Sequence, residues 1–254
     1  MGKIIAIVNQ KGGVGKTTSA VNMAASLGAL DKTVLLCDVD PQGNATSGFG
    51  VNKRALQSSA YEVIISGKAA RETVLRTQFR NVYLLPSTMT LAGAELELVD
   101  LELRESRLKD ALAPIRDVFD YILLDCPPSL GLLTLNGLCA ADTYLVPIQC
   151  EFFALEGLSQ LTATVRKAKQ LYNPLLELEG VLLTMFDSRL NLTAQVVEEI
   201  KKFFPRKVYS SVIPRNVRLS EAPSFGQPVL YYDPASSGSK AYDAFAKEFL
   251  SQQI

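Results

Sequence analysis

Residues 3–20 read Lys3-Ile4-Ile5-Ala6-Ile7-Val8-Asn9-Gln10-Lys11-Gly12-Gly13-Val14-Gly15-Lys16-Thr17-Thr18-Ser19-Ala20. The run from Ile4 to Val8 is apolar without polar alternation, so it reads as a strand covered on both faces, the kind that lies inside a parallel sheet. A glycine-rich turn follows and opens directly into a helical pattern. Gly12, Gly13 and Gly15 permit positive φ and close backbone approach, so successive N–H groups and the helix N-terminus converge on an anion. That is how a phosphate loop works, here built from Lys11, Gly12, Gly13, Val14, Gly15, Lys16, Thr17 and Thr18. Lys16 falls on the β/γ-phosphate side and Thr17 offers a hydroxyl to Mg²⁺. The usual spacing G-x-x-x-x-G-K-[ST] is broken, because Gln10 occupies the first glycine position and Lys11 is an additional lysine.

The same alternation of short β-branched runs and helical patterns continues along the chain. Strands are expected near 3–8, 33–38, 82–86, 120–125, 143–148, 180–185 and 208–213, and helices near 16–30, 91–112, 131–140, 155–171, 192–204 and 239–252. Repeated β-α-β units of this kind predict a doubly wound α/β fold, a mostly parallel sheet with helices on both faces. No Pro/Gly/Ser-rich linker, charge block or repeat interrupts the pattern, so residues 1–254 read as one domain. The one soft stretch is 43–60, rich in Gly, Ser and Asn. The Leu/Glu-rich stretch 91–112 reads as an amphipathic outer layer, with a partner-facing helix pair as its other reading.

In such sheets ligands sit beyond the carboxyl ends of the strands. The second strand ends in Cys37-Asp38-Val39-Asp40-Pro41-Gln42-Gly43-Asn44. Asp38 and Asp40 share one side at the strand's end, where they could position water or metal; a pair of Asx turns ahead of Pro41 is the other reading. A further strand end, Tyr121-Ile122-Leu123-Leu124-Asp125-Cys126-Pro127-Pro128-Ser129, closes four apolar residues with a carboxylate. Asp125 is placed to hold Mg²⁺ through a water.

Composition narrows the chemistry. The 254 residues contain no histidine, which excludes Ser-His and Cys-His nucleophilic pairs and histidine metal centres. Cys37, Cys126, Cys139 and Cys150 form no C-x-x-C pair and read as reduced, packed thiols. The N-terminus shows no secretory h-region, and no apolar run approaches the roughly 18 residues of a membrane span. Twenty-six basic and 26 acidic side chains cancel, so any polyanion must be met by a local patch.

Four segments, Lys11–Thr18, Asp38–Asn44, Asp125–Ser129 and Val212-Ile213-Pro214-Arg215-Asn216, together resemble the deviant Walker-A ATPases of the ParA/Soj type, P-loop NTPases that partition bacterial chromosomes and plasmids. The likeness extends over essentially the whole chain, and Lys11 beside the broken glycine position is the family's defining departure. The resemblance implies ATP and Mg²⁺ as cofactors, and a monomer that on binding ATP forms a sandwich homodimer in which Lys11 reaches the partner's phosphates. It implies Lys11, Lys16 and Asp40 as catalytic residues, Asp40 positioning the attacking water. It also implies Thr17 and Asp125 on Mg²⁺ with Asp38 as a further candidate, and Pro214 and Asn216, with Arg215 beside them, in the adenine-contacting loop. The expected cycle is a slow hydrolysis, stimulated by a ParB/Spo0J-like centromere-binding protein, that releases sequence-nonspecific double-stranded DNA in a cytoplasmic, nucleoid-associated setting.

Basic residues outnumber acidic ones between 160 and 220, and Arg189, Arg218, Lys201 and Lys202 are the candidate DNA contacts, against a solvated mixed-charge surface as the other reading. Related branches fit less well. Membrane-bound selectors resembling MinD end in a basic amphipathic tail, whereas the stripe Tyr242, Phe245, Ala246, Phe249 and Leu250 is accompanied by little positive charge and reads as core, with no membrane expected. A cluster-bridging role for Cys126 and Cys139, as in nitrogenase iron proteins, conflicts with the place of Cys126 inside a strand end. A positioning ATPase for another cargo, or a membrane-associated regulator, is the alternative function.

Overall fold

A computed structural model describes residues 1–151, 154–189 and 191–253. Among these, eight strands form one sheet: β1 (Lys3–Ile7), β2 (Val34–Asp38), β3 (Leu75–Arg76), β4 (Val82–Leu85), β5 (Tyr121–Asp125), β6 (Thr143–Gln149), β7 (Glu177–Phe186) and β8 (Val208–Pro214). Their order is β3-β4-β2-β5-β1-β6-β7-β8. Every neighbouring pair is parallel except β3–β4. The seven expected strands are all present. The two-residue β3 is too short to show a pattern in sequence, and its pairing is carried by β4.

The unalternated apolar runs divide between two cores, one on each face of the sheet. Ile4 and Ala6 point to one core, and Ile5 and Ile7 to the other. On the second face the helix Lys16–Ala29 contributes Ala20, Val21, Met23, Ala24 and Leu27. The helix Ser237–Ser251 packs beside it with Tyr242, Phe245, Ala246 and Phe249 fully covered. The Tyr242 and Ser19 hydroxyls meet at 3.1 Å, which ties this last helix to the first turns after the phosphate loop. The C-terminal stripe therefore lies in the core, as its low positive charge indicated, and among the described residues no helix is long and apolar enough to cross a membrane.

Two expectations are corrected. The stretch 91–112 is not one helix but Leu91–Glu97, a 3₁₀ turn Leu98–Asp100, and Arg107–Leu112. The chain turns extended at Leu101 and takes φ +50° at Leu103, and neither conformation continues a helix. The stretch 43–60 is well structured. Asn44–Gly48 forms a short helix with Thr46 fully buried, and Ser59 and Glu62 close a reciprocal capping box on Ala60–Ile64.

Phe245 is fully buried and meets Tyr209 edge-on with ring centroids 4.9 Å apart. Phe245→Ala is expected to destabilise the fold by about 3–5 kcal/mol through lost burial and the cavity left behind, read as a lower denaturant midpoint with unchanged slope.

Candidate active site

Three strand exits lie side by side. In the parallel register Ile7 of β1 pairs with Asp125 of β5, and Asp125 with Asp38 of β2. The loop leaving β1 therefore runs beside Asp125, with Asp38 one strand further on. Gly13 and Gly15 adopt φ +76° and +87°, which L-residues with a Cβ resist, whereas Gly12 does not use the positive φ open to it. The loop is pinned from outside. Asn9 Nδ2 donates to the Pro147 carbonyl at 2.8 Å, the Lys11 amide to Asn9 Oδ1 at 3.0 Å, and Thr184 Oγ1 to the Val14 carbonyl at 2.8 Å. Gly15 starts the helix without a side-chain cap, and no acidic residue stands in the first turn. The helix N–H groups and dipole are left to an external anion. Lys16 is buried at 6% exposure, and its Nζ donates to the Lys11 carbonyl at 3.0 Å. Burial pushes its pKa down, opposed by Asp125 and Asp40.

The three aspartates differ in how they are satisfied. Asp125 is fully buried and neither carboxylate oxygen has a hydrogen-bond partner. Burial and the neighbouring Asp38 drive its pKa well up; the Thr17 hydroxyl, beside it without a well-formed hydrogen bond, and Lys16 favour the charged form but are outweighed. A desolvated carboxylate with open lone pairs beside a threonine hydroxyl is a hard-oxygen pair suited to Mg²⁺. Among the described residues no three His, Cys, Asp or Glu side chains converge on one point, so such a cation would take its remaining ligands from phosphate and water.

Asp38 is equally buried but fully engaged. Oδ2 accepts the Thr46 amide at 2.8 Å and the Thr46 hydroxyl at 2.7 Å, and Oδ1 accepts the Asp40 amide at 3.3 Å. Three donors therefore already hold the Asp38 carboxylate in the turn, in contrast to the open oxygens of Asp125. Asp40 in turn accepts the Gln42 amide at 2.9 Å. The Asx-turn reading is thus realised at both residues, with Asp40 left at the mouth of the site at 6% exposure.

Beside the loop lies a cavity of about 370 Å³ lined by Gly15, Thr18, Thr184, Met185, Pro214, Arg215 and Asn216 among others. β8 delivers Pro214 there, as the sequence pattern required. The Asn216 side chain is occupied otherwise: Oδ1 caps the helix Val217–Glu221 by accepting the Arg218 amide at 2.8 Å, and Nδ2 donates to Ser237 Oγ at 2.7 Å. Met185, at φ +48°, and Thr184 were not foreseen, since nothing in a strand pattern marks the residue at which its exit turns. A larger cavity of about 500 Å³, lined by Lys68, Arg71 and Arg107 around an apolar floor, is formed by segments leading into β3 and β5 and shares no residue with the phosphate loop.

Lys11 extends to an ion pair with Glu151 at the exit of β6, a partner that the sequence did not single out. The four candidate DNA contacts are exposed, but each already has an acidic partner. Arg189 pairs with Asp187 at 2.6 Å, Lys202 with Glu199 at 2.7 Å, Lys201 with Glu198 at 3.8 Å, and Arg218 with Glu221 at 2.7 Å and Asp233 at 3.2 Å. The four side chains are thus each paired with an acid, Arg218 with acids beyond the 160–220 window.

Asp125→Asn is expected to stabilise the nucleotide-free protein at neutral pH by about 1–2 kcal/mol, because it removes a buried charge that lacks a hydrogen-bond partner. An acid whose folded pKa is raised is better tolerated as pH falls, since protonation removes the same charge. The advantage of the variant should accordingly shrink on acidification toward the ordinary carboxylate range, measured by thermal melts of both proteins across pH.

An AAA domain family model matches residues 2–178. The chain is 55% identical over 248 residues to the sporulation initiation inhibitor protein Soj of Bacillus subtilis, covering 98% of each chain. It is 52% identical over 252 residues to the chromosome partitioning protein ParA of Myxococcus xanthus, covering 99% of this chain and 89% of that one. Its fold matches the crystal structure of a protein titled cobyrinic acid a,c-diamide synthase from Mycobacterium smegmatis with bound ADP and magnesium, at TM-score 0.87 and 37% identity over 100% of this chain and 96% of that one. With a phosphate loop, two aspartate-bearing strand exits and a Pro214–Asn216 loop assembled on such a sheet, the chain belongs to the ParA/Soj family of partitioning P-loop proteins.

Proposed function

We propose that the chain, acting as one domain, is an ATP-hydrolysing switch that partitions DNA. The observation that carries this reading is the buried carboxylate of Asp125, without a hydrogen-bond partner, beside Lys16 and an uncapped helix N-terminus. Such a site is electrostatically incomplete until an anion and a cation enter together, which is the form in which Mg·ATP arrives. The loop amides of residues 11–18 cradle the phosphates, Lys16 neutralises the β/γ side, and the base and ribose occupy the cavity between Gly15 and Pro214. Thr17, and Asp125 through a water, would hold Mg²⁺, which would supply charge neutralisation at the phosphates when bound. Because Asn216 is spent on capping, its contact with the nucleotide falls to its backbone, and its side chain fixes the loop that presents Pro214.

Asp40 orients the attacking water. Lys11 leaves Glu151 and delivers its charge to the phosphates bound by the partner subunit, which couples nucleotide state to homodimer formation. Loss of the γ-phosphate removes the group that both subunits grip, so slow hydrolysis, stimulated by a ParB/Spo0J-like centromere-binding protein, times the release of the dimer and of nucleoid DNA. DNA is met through Arg189, Arg218, Lys201 and Lys202. Glu198 and Glu199 are exposed, and Asp187, Glu221 and Asp233 are partly so; pairs at the surface are weak and salt-screened, so phosphates can exchange for them. No apolar stripe of the helix Ser237–Ser251 is left for a membrane, since its large side chains are in the core.

Lys16→Ala is expected to abolish ATP binding measured by fluorescent-nucleotide titration; retained affinity would overturn the phosphate-loop assignment. Asp40→Ala should keep ATP binding and accumulate dimer by sedimentation while hydrolysis falls by about 10²-fold or more.

With ATP and not ADP, the Asp40→Ala dimer should bind random-sequence duplex DNA, weakening steeply as salt rises; reversing charge at Arg189 and Arg218 together should remove that binding. An ATP-bound dimer indifferent to DNA at low salt would leave the switch intact and point to another cargo.

A further inference from the structure

Resting on the proposed hydrolysis by an Asp40-oriented water, we infer that Thr46 is the positioning residue that sets Asp40. The loop from Asp38 to Thr46 leaves the end of β2 and returns against the exit of β4, and Thr46 fastens the two. Its hydroxyl donates to Asp38 Oδ2 at 2.7 Å while accepting the Ser87 amide at 2.9 Å, and its own amide donates to the same Asp38 oxygen at 2.8 Å. Asp38 then holds the Asp40 amide through Oδ1 at 3.3 Å. Thr46, Asp38 and Ser87 are all fully buried, so none of these bonds is exchanged for water in the folded chain.

The rest of the loop is pressed into place around this connection. A Cβ on Gly43 would come within 2.8 Å of the Ser87 carbonyl, so the turn lies directly on the exit of β4. From the other side Lys53 Nζ donates to the Gln42 carbonyl at 2.8 Å and to the Gly43 carbonyl at 3.3 Å. Asp38 does not touch the phosphates in this scheme. Its carboxylate is the fixed point from which Asp40 is hung, and the Thr46 hydroxyl is one of the two donors that hold its Oδ2.

Threonine is the residue that can do this. Valine keeps the shape and the amide bond but removes the hydroxyl, leaving the Ser87 amide unpaired in the interior and Asp38 Oδ2 with one donor. Serine keeps both hydroxyl bonds and loses a methyl group. A displacement on the order of 1 Å at a positioning group can cost about 10²-fold in rate, so the hydroxyl is expected to register in turnover and not in affinity.

The test is steady-state ATP hydrolysis by the full chain, with fluorescent-nucleotide affinity and melting temperature measured on the same preparations. Thr46→Val should lower kcat by about 10-fold or more, with KM and nucleotide affinity within about two-fold of the parent, and Thr46→Ser should restore kcat to within about two-fold. If Thr46→Val does not fold, Thr46→Cys, whose thiol is a weak donor, carries the same expectation for kcat. Wild-type turnover in the valine or cysteine variant, equal impairment of the serine variant, or a loss carried by KM would each overturn the role assigned to Thr46. A parent protein that neither binds nor hydrolyses ATP would instead overturn the function on which the inference rests, and the two failures are read from separate samples.

Discussion

A carboxylate buried without a hydrogen-bond partner is the interaction around which this molecule is organised. Folding brings Asp125 out of water at the end of β5, places Asp38 opposite it in register, and sets Lys16 close enough to temper the charge without bonding to it. Among the described residues no well-formed hydrogen bond reaches either of its oxygens. Buried polar groups in proteins are nearly always paired, and an unpaired buried carboxylate at the mouth-side end of a strand, beside a phosphate loop, is a place for a partner from outside. Here the missing partner must be positive where it meets Asp125 and negative where it meets Lys16 and the helix N-terminus. One ligand class carries both signs at that separation, and the fold is a scaffold for holding the two demands next to one another.

The scaffold was largely legible in the sequence because burial on both faces erases polar alternation. Ile4–Val8, Val34–Cys37 and Tyr121–Leu124 could be read as interior strands for that reason alone, and the chemistry then had to lie where each run stops. The phosphate loop was legible because glycine spacing ahead of a helix has few other uses, although which glycines turn left-handed was not. Other features depend on contacts made across the sheet. The Thr184 bond to the Val14 carbonyl joins residues far apart in sequence, and the Asn216 cap looks in sequence like any asparagine near a proline. Residues 91–112 misled because leucine spacing indicates a helix regardless of a break in the backbone at Leu101 and Leu103.

Asp38 and Asp40 show how spacing can place a pair of carboxylates without saying how each is held. Period-two geometry put both carboxylates at the strand end, and both are there. Their oxygens, however, are the acceptors of their own loop's amides, so the pair forms a graded arrangement in which Asp38 is structural and Asp40 faces the mouth. Spacing could not separate the two roles, because the difference arises from Thr46, which returns only after the chain has made its turn.

Charge at the surface raises the opposite problem. A chain with equal numbers of acids and bases has no long-range field, and the candidate DNA contacts are further quieted by their own carboxylates. In the proposed scheme a single subunit is therefore a weak ligand for a polyanion. The affinity of a basic patch for duplex DNA grows with the number of phosphates neutralised and hence of counterions released, so bringing two copies of a weak patch onto one stretch of DNA roughly squares the binding constant of one, less the cost of alignment. Weak, self-masked patches are consequently better suited to a switch than strong ones: a strongly basic monomer would stay on DNA whatever its nucleotide, whereas a neutral one is released whenever the dimer comes apart.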